Sequence, residues 1–287
     1  MKLGGRPLSD PQVLDTLAAD LATLQQEGVR VVVVHGGGPQ LSKLSDRMGL
    51  ETTKINGRRV TCDETLKLAK MVFAGEISTD IVAALRRHGV GGVGLSGVDG
   101  GVINAVRRSP VQMTNNTTGQ VEVVDFQHVG DIFGVDTTLL SLLLDNGFIP
   151  VVASLAADEG GQVLNINADT IAADIAIAVH AKKLFLMSDV PGVLRDVKNH
   201  ASRIPEMTVD DARSLIRTGA VADGMIPKLD GAIRTLEGGV SSIHLMDGHT
   251  PHAVLDEVAM PGSQGTSITA VGGRSHQEAV WMAEGNS

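Results

Sequence analysis

Arg30 to His35 reads RVVVVH and runs straight into Gly36-Gly37-Gly38-Pro39, and no other feature constrains the fold of this chain so tightly. A continuous apolar run without polar alternation marks a strand covered on both faces, as in a parallel sheet with helices packed on either side. The spacing therefore predicts a central strand over 30–35, a glycine turn, and a helix opening near Pro39. Backbone N–H groups at a helix N-terminus attract anions, and three residues without Cβ let a phosphate or carboxylate come close to the chain. A tight turn without a ligand is the plainer reading, but the position between strand and helix favours an anion site.

The same alternation of short β-branched runs and helical periods continues along the chain, which predicts an α/β fold with a mainly parallel central sheet. Val13, Leu14, Leu17, Leu21 and Leu24 mark one helical face; Ser9 with Gln12 matches a capping box and Pro11 suits a first turn, placing the helix start near Asp10. Thr61 with Glu64 matches a second capping box, opening a helix that carries Leu66, Leu68 and Met71, and a separate helix carries Ile81, Val82 and Leu85. Residues 102–124, with Gly119 near the middle, read as a hairpin excursion. Further strands are expected at 149–153, 183–187 and 242–246. A Gly and Pro shift around 153–161 divides an N-terminal half, 1–155, from a C-terminal half, 156–271, and residues 272–287 have no clear period and read as a mobile tail.

Composition removes several classes of function. There is no Tyr, one Trp and five Phe, so platforms for stacking single-stranded bases are missing, and a formal charge of -9 opposes a phosphate backbone. Nucleic acid is not an expected partner. No apolar stretch reaches the roughly 18 to 20 residues of a membrane span, and the start lacks a secretory hydrophobic core, so no membrane association and a cytoplasmic location are expected. The single Cys62 allows no internal disulfide, and the sequons at Asn115 and Asn116 are read as coincidental.

Two signals mislead. Gly89 to Gly94, GVGGVG, matches the dinucleotide fingerprint in letters, but it follows a helix and leads into a strand, whereas the fingerprint requires the opposite order. It is read as a helix-to-strand loop, which argues against a nicotinamide-dependent enzyme. His244, His249 and His252 lie close in sequence, on an expected strand end, loop and helix start; without Cys or carboxylates at ligand spacing they are read as structural, and no residue is assigned to a metal. The P-loop signature is absent, so any phosphate cradle must be of another kind.

Charged residues do stand beside turns that could serve as one. Lys2 ends an apparent first strand ahead of Gly4 and Gly5, a cation beside a glycine turn. Asn165-Ile166-Asn167-Ala168-Asp169 runs from a strand into a helix, where Asp169 could serve as a cap alone. Lys228, in Met225-Ile226-Pro227-Lys228, opens a further helix, where a cation is unfavourable beside the helix dipole; its presence points to a ligand anion or an acidic partner.

From Lys2 to about Ile268, the ordered segments KLGG, VVVHGGGPQ, NGRRVT, GLSGVDGG, NINADT, SDVPGVL, DGMIPK, DGHTPHAVL and QGTSI resemble the amino acid kinase family. NINAD and GMIPK are most similar to its branch acting on N-acetyl-L-glutamate, with the kinase of carrier-linked aminoadipate as the nearest rival and a degenerate regulatory homologue as a further alternative. The resemblance implies a three-layer αβα sandwich whose N-terminal half binds the acyl amino acid and whose C-terminal half binds ATP with Mg2+. It implies phosphorylation of the side-chain carboxylate, in arginine biosynthesis. By the same resemblance, Lys2 and Lys228 stabilise the transferring phosphoryl group and Asp169 organises them. Gly37 and Gly38 contact substrate and γ-phosphate, Arg59 grips the α-carboxylate, and Asn165 lies beside the substrate. Gly4, Gly5, Asp189 and Gly192 belong to the nucleotide pocket. A homodimer insensitive to arginine is expected, since no N-terminal ring-forming helix is visible and Met260 and Ser267 depart from the arginine-site pattern.

Overall fold

The structure is a computed structural model that describes residues 1–114, 119–221 and 224–270. The sequons at Asn115 and Asn116 and the tail 272–287 lie outside the described residues.

The glycine-terminated valine run sits at the middle of an eight-stranded sheet. Its strand order is Glu206–Thr208, Gly265–Thr269, Ser242–Asp247, Lys183–Ser188, β1 (Lys2–Leu3), β2 (Val33–His35), Ile149–Ala153 and Gly92–Ser96. Every neighbouring pair is parallel except Ser242–Asp247 with Gly265–Thr269. The sheet crosses the boundary expected near 153–161 without a break, because β1 pairs with β2 on one side and with Lys183–Ser188 on the other. A second, four-stranded sheet contains Ile103–Arg107, Gly130–Val135, Leu155–Ala157 and Val163–Asn165. The excursion over 102–124 contributes Ile103–Arg107 to that sheet and otherwise forms a hairpin of Val111–Thr114 with Val121–Val124.

The α-helices among the described residues are α1 (Pro11–Gln26), α2 (Gly38–Arg47), α3 (Asp63–Lys70), α4 (Ser78–Arg87), α5 (Thr138–Asp145), α6 (Ala168–Ala178), α7 (Val209–Thr218), α8 (Ile226–Glu237) and α9 (Ala253–Ala259). Alternate strand residues feed two separate cores. Val34, Leu184, Leu186 and Val152 pack with α6, α7 and α8, while Val33, Phe185, Met187 and Val151 pack with α1, α3, α4 and α9. Both faces of the sheet are therefore covered, and the fold is the expected αβα sandwich. No helix among the described residues is long and apolar enough to cross a membrane.

Several local expectations are corrected. The strand expected over 30–35 begins only at Val33. α1 is capped by Asp10, not Ser9: the Asp10 carboxylate accepts from the N–H groups of Gln12 and Val13. Thr61 caps nothing, because its N–H is bonded to Phe126 O and its hydroxyl accepts from Asn165; the N-cap of α3 is Cys62, without a side-chain cap bond. The helix expected to carry Leu66, Leu68 and Met71 and the separate one expected to carry Ile81, Val82 and Leu85 are one rod from Asp63 to Arg87, joined by a π-helical stretch Met71–Ile77. Apolar spacing carries no mark of such a stretch, which is common at functional sites.

Candidate active site

The carboxyl ends of parallel strands form a crevice, and the sequence places its unusual residues there. Lys2 lies opposite Val34 and Leu186, and Leu3 opposite His35 and Met187, so Gly4 and Gly36 leave the sheet beside Ser188, the last residue of its strand. Lys2 is held between two strands and its residue is only 8% exposed, although β1 is two residues long. Its side chain folds back over Gly4, where a Cβ would collide with the Lys2 ammonium. Gly5, at φ +75°, lies so close to Asp189 that a Cβ would meet the Asp189 carboxylate.

Two helix starts bring the remaining charges to Lys2. Asn167 caps α6 by accepting from the N–H groups of Asp169 and Thr170 at 2.7 and 3.2 Å, which leaves the Asp169 carboxylate free of the capping role. That carboxylate instead takes Lys2 Nζ on Oδ1 at 2.9 Å and Lys228 Nζ on Oδ2 at 3.2 Å. Lys228 stands in the first turn of α8, so the acid that compensates its unfavourable position comes from α6. Burial would raise the Asp169 carboxyl, but the two ammonium groups outweigh it and hold it below the ordinary carboxylate value.

The glycine turn lies beside this triad, next to the end of β1 and the start of α6. α2 starts at Gly38 with Gly37 as N-cap, and no side chain caps it. A Cβ on Gly38 would meet nothing within 4 Å, whereas one on Gly37 would collide with Ile77 and lie 2.7 Å from Phe73, both in the π-helical stretch. A Cβ on Gly36 would lie 3.4 Å from that of Ala168, so the turn and the start of α6 approach closely.

Arg59 reaches the same helix start from a small hairpin, Lys54–Ile55 with Arg58–Arg59, turned by Asn56 and Gly57 at φ 48° and 77°. An Asn-Gly pair is the favoured sequence for such a two-residue turn, a legible signal that the motif reading passed over. The Arg59 guanidinium donates to Gly38 O at 3.1 Å, Ser42 Oγ at 2.7 Å and Thr52 Oγ1 at 3.2 Å. Burial lowers its pKa, and nearby Asp46 opposes the shift. Asn165 sits at the end of its strand with its N–H on His128 O at 2.8 Å and its amide donating to Thr61 Oγ1 at 3.1 Å. Gly192, at φ +131°, packs with its Cβ position 2.5 Å from Thr266 Oγ1, a buried hydroxyl that accepts from Val193 N–H and donates to Ile204 O. Among the described residues no ion pair or hydrogen bond joins Arg59, Asn165 or Gly192 to the lysine cluster.

The histidines near the C-terminal strand each pair with a different acid. His244 contacts Glu257 at 2.7 Å, His249 contacts Asp247 at 2.9 Å, and His252 contacts Asp20 at 2.7 Å. His244 lies inside its strand rather than at the end, fully enclosed and stacked on Phe185. Sequence reasoning missed Thr61 as the partner of Asn165, Thr266 behind Gly192, and Phe73 and Ile77 behind Gly37; the last two depend on the π-helical stretch and left no pattern to read. It also passed over His35, which stands next to the glycines it did single out.

Two cations on one carboxylate, beside a glycine turn with an uncapped helix start, have the chemistry to attract a polyanion. No group of three His, Cys, Asp or Glu side chains among the described residues could hold a metal ion.

The family model described as the amino acid kinase family matches residues 1–247. The chain is 42% identical over 274 residues to the acetylglutamate kinase of Methanococcoides burtonii, covering 93% of this chain and 88% of that protein. It is 47% identical over 268 residues to the acetylglutamate kinase of Sorangium cellulosum, covering 93% of each. Its structure is similar to that of N-acetylglutamate synthase from Neisseria gonorrhoeae complexed with coenzyme A and N-acetyl-glutamate. The TM-score is 0.78 at 28% identity, over 95% of this chain and 59% of that longer one. Carbamate kinase from Giardia lamblia bound to AMP-PNP shares the fold at a TM-score of 0.66 and 15% identity, over 94% of this chain and 97% of that one.

Proposed function

The chain belongs to the amino acid kinase family, and on that premise we propose that it transfers the γ-phosphoryl group of ATP to the side-chain carboxylate of N-acetyl-L-glutamate, giving N-acetyl-L-glutamyl 5-phosphate and ADP. The observation that carries this reading is the pairing of Lys2 and Lys228 on Asp169 at 2.9 and 3.2 Å.

The attacking carboxylate has a reference pKa of about 4.3 and is ionised at neutral pH, so no general base is required. What the protein must supply is alignment and neutralisation of charge on the transferring group. Lys2 and Lys228 neutralise that charge, and Asp169 keeps both ammonium groups at a fixed spacing. Gly37 and Gly38 present backbone N–H groups at the start of α2, with space over Gly38 for the anion. Arg59 takes the substrate α-carboxylate, for which a guanidinium fork is better suited than an ammonium, and Asn165 flanks the substrate. Gly4, Gly5, Asp189 and Gly192 line the nucleotide side. Mg2+ bound to the ATP phosphates would offset part of their charge, leaving the remainder to Lys2 and Lys228.

In this reading residues 1–155 hold the acyl amino acid and 156–271 hold ATP. The enzyme works as a cytoplasmic homodimer in arginine biosynthesis. Trapping the acyl phosphate with hydroxylamine, in the presence of ATP and Mg2+, separates the candidate acceptors. Product with N-acetylglutamate, and none with glutamate, aspartate or aminoadipate, is expected; a faster rate on any of the other three overturns the substrate assignment.

A further inference from the structure

His35 takes no part in the chemistry described above, yet it is fully enclosed next to the glycine turn. It closes β2, with Leu3 opposite it on one side and Ala153 on the other. Its Nδ1 lies 2.9 Å from the carbonyl oxygen of Gly36. A carbonyl oxygen only accepts, so Nδ1 carries the proton. Burial lowers the His35 pKa to about 4, the ring is neutral near pH 7, and Nε2 is an acceptor. That atom is buried without a hydrogen-bond partner among the described residues. An unpaired buried acceptor is destabilising, so packing alone favours an apolar side chain here.

The geometry of the turn gives the imidazole a use. In a flat trans peptide the C=O and the following N–H point in opposite directions. With the Gly36 carbonyl turned onto the enclosed imidazole, the Gly37 N–H points away from it, at the uncapped start of α2. Gly36 N–H is itself bonded to Leu3 O at 3.3 Å, which ties the turn to the strand that carries Lys2. Phe73 and Ile77 crowd the other side of Gly37 and limit its movement in that direction. We propose that His35 is a positioning residue, whose ring holds the Gly36–Gly37 peptide so that the Gly37 N–H faces the transferring phosphoryl group. This rests on the kinase reading above and adds to it a residue that touches neither substrate.

The test compares His35→Leu, which removes the donor, with His35→Asn, whose amide nitrogen can stand in for Nδ1. Three readouts are taken: thermal unfolding, kcat and both KM values in the acyl-phosphate assay, and amide hydrogen exchange over residues 36–41 without ligand. The Leu variant is expected to unfold no earlier than the parent, to lose at least about tenfold in kcat with the KM for N-acetylglutamate nearly unchanged, and to exchange faster at Gly36, whose N–H is bonded to Leu3 O. The Asn variant regains most of the rate and the slow exchange. The inference is overturned if the Leu variant keeps its kcat within about twofold, if its loss of rate merely tracks loss of folded protein, or if Asn is as impaired as Leu. Hydrogen exchange needs no substrate, so a parent protein inactive on N-acetylglutamate counts against the kinase reading while exchange still decides the positioning.

Discussion

Lys2 Nζ lies 2.9 Å from Asp169 Oδ1, so the first strand of the sheet is ion-paired to the first turn of α6. The other carboxylate oxygen holds Lys228 at 3.2 Å. Asp169→Asn keeps the shape and removes the charge that holds the two ammonium groups together. A fall in kcat of about 100-fold is expected, because two preorganised cations lose their alignment. The Asp169 side chain is 32% exposed, which limits the stability loss to about 1–2 kcal/mol. Steady-state kinetics and a denaturation curve on the same preparation check both; an unchanged kcat removes Asp169 from the mechanism.

Gly37 and Gly38 should respond differently to one added methyl group. At Gly37 the methyl collides with Ile77 and lies 2.7 Å from Phe73. Gly37→Ala is therefore expected to destabilise the fold by about 1–3 kcal/mol. At Gly38 the methyl meets nothing within 4 Å. Gly38→Ala should fold like the parent and lose activity by at least about tenfold through the space it takes from the anion. Equal unfolding midpoints with equal rates would contradict this division.

Arg59→Lys tests the α-carboxylate contact. Lysine keeps the charge but cannot make the fork of bonds that Arg59 directs at Gly38 O, Ser42 and Thr52. The KM for N-acetylglutamate should rise by roughly 10- to 100-fold while the KM for ATP moves little. A rise confined to ATP would move Arg59 to the nucleotide side.

The pH dependence of stability has two separate windows. His35 has a folded pKa of about 4 against an unfolded value near 6.5, so between these values the unfolded chain binds the additional proton. Stability contributed by this residue is lost as pH falls from about 6.5 to 4, by about 3 kcal/mol in all. Asp169 has a depressed pKa, so its contribution is present above about pH 3.9 and is lost only as pH falls through the lower folded value. Chemical denaturation of the parent and His35→Leu across this range should show the variant gaining relative stability as pH falls from 6.5 to 4; a difference independent of pH would mean that His35 is not neutral in the fold.

Placement made the candidate site legible in the sequence. A valine run that ends in three glycines and then a helix can face only the carboxyl edge of a parallel sheet, and the structure puts Gly37 and Gly38 there. Lys228 was out of place for the helix dipole, and the structure supplies Asp169 as the acid it required. That Lys2 shares this acid could not be read, because it depends on β1 inserting between β2 and Lys183–Ser188. The capping boxes failed for local reasons. Asp10 offers a carboxylate to the N–H groups of Gln12 and Val13, and Thr61 is already engaged by Phe126 and Asn165. The π-helical stretch behind Gly37 left no trace in apolar spacing, and His35 looked like the end of a strand because its ring bonds only to the neighbouring residue.

The central claim is phosphoryl transfer assisted by two lysines held on one aspartate, and it is tested most directly by acyl-phosphate formation from N-acetylglutamate and ATP in the parent and in Lys228→Ala. The account predicts robust product in the parent and a loss of at least about 100-fold in kcat in a variant that remains folded. A folded Lys228→Ala enzyme with the rate of the parent would contradict it.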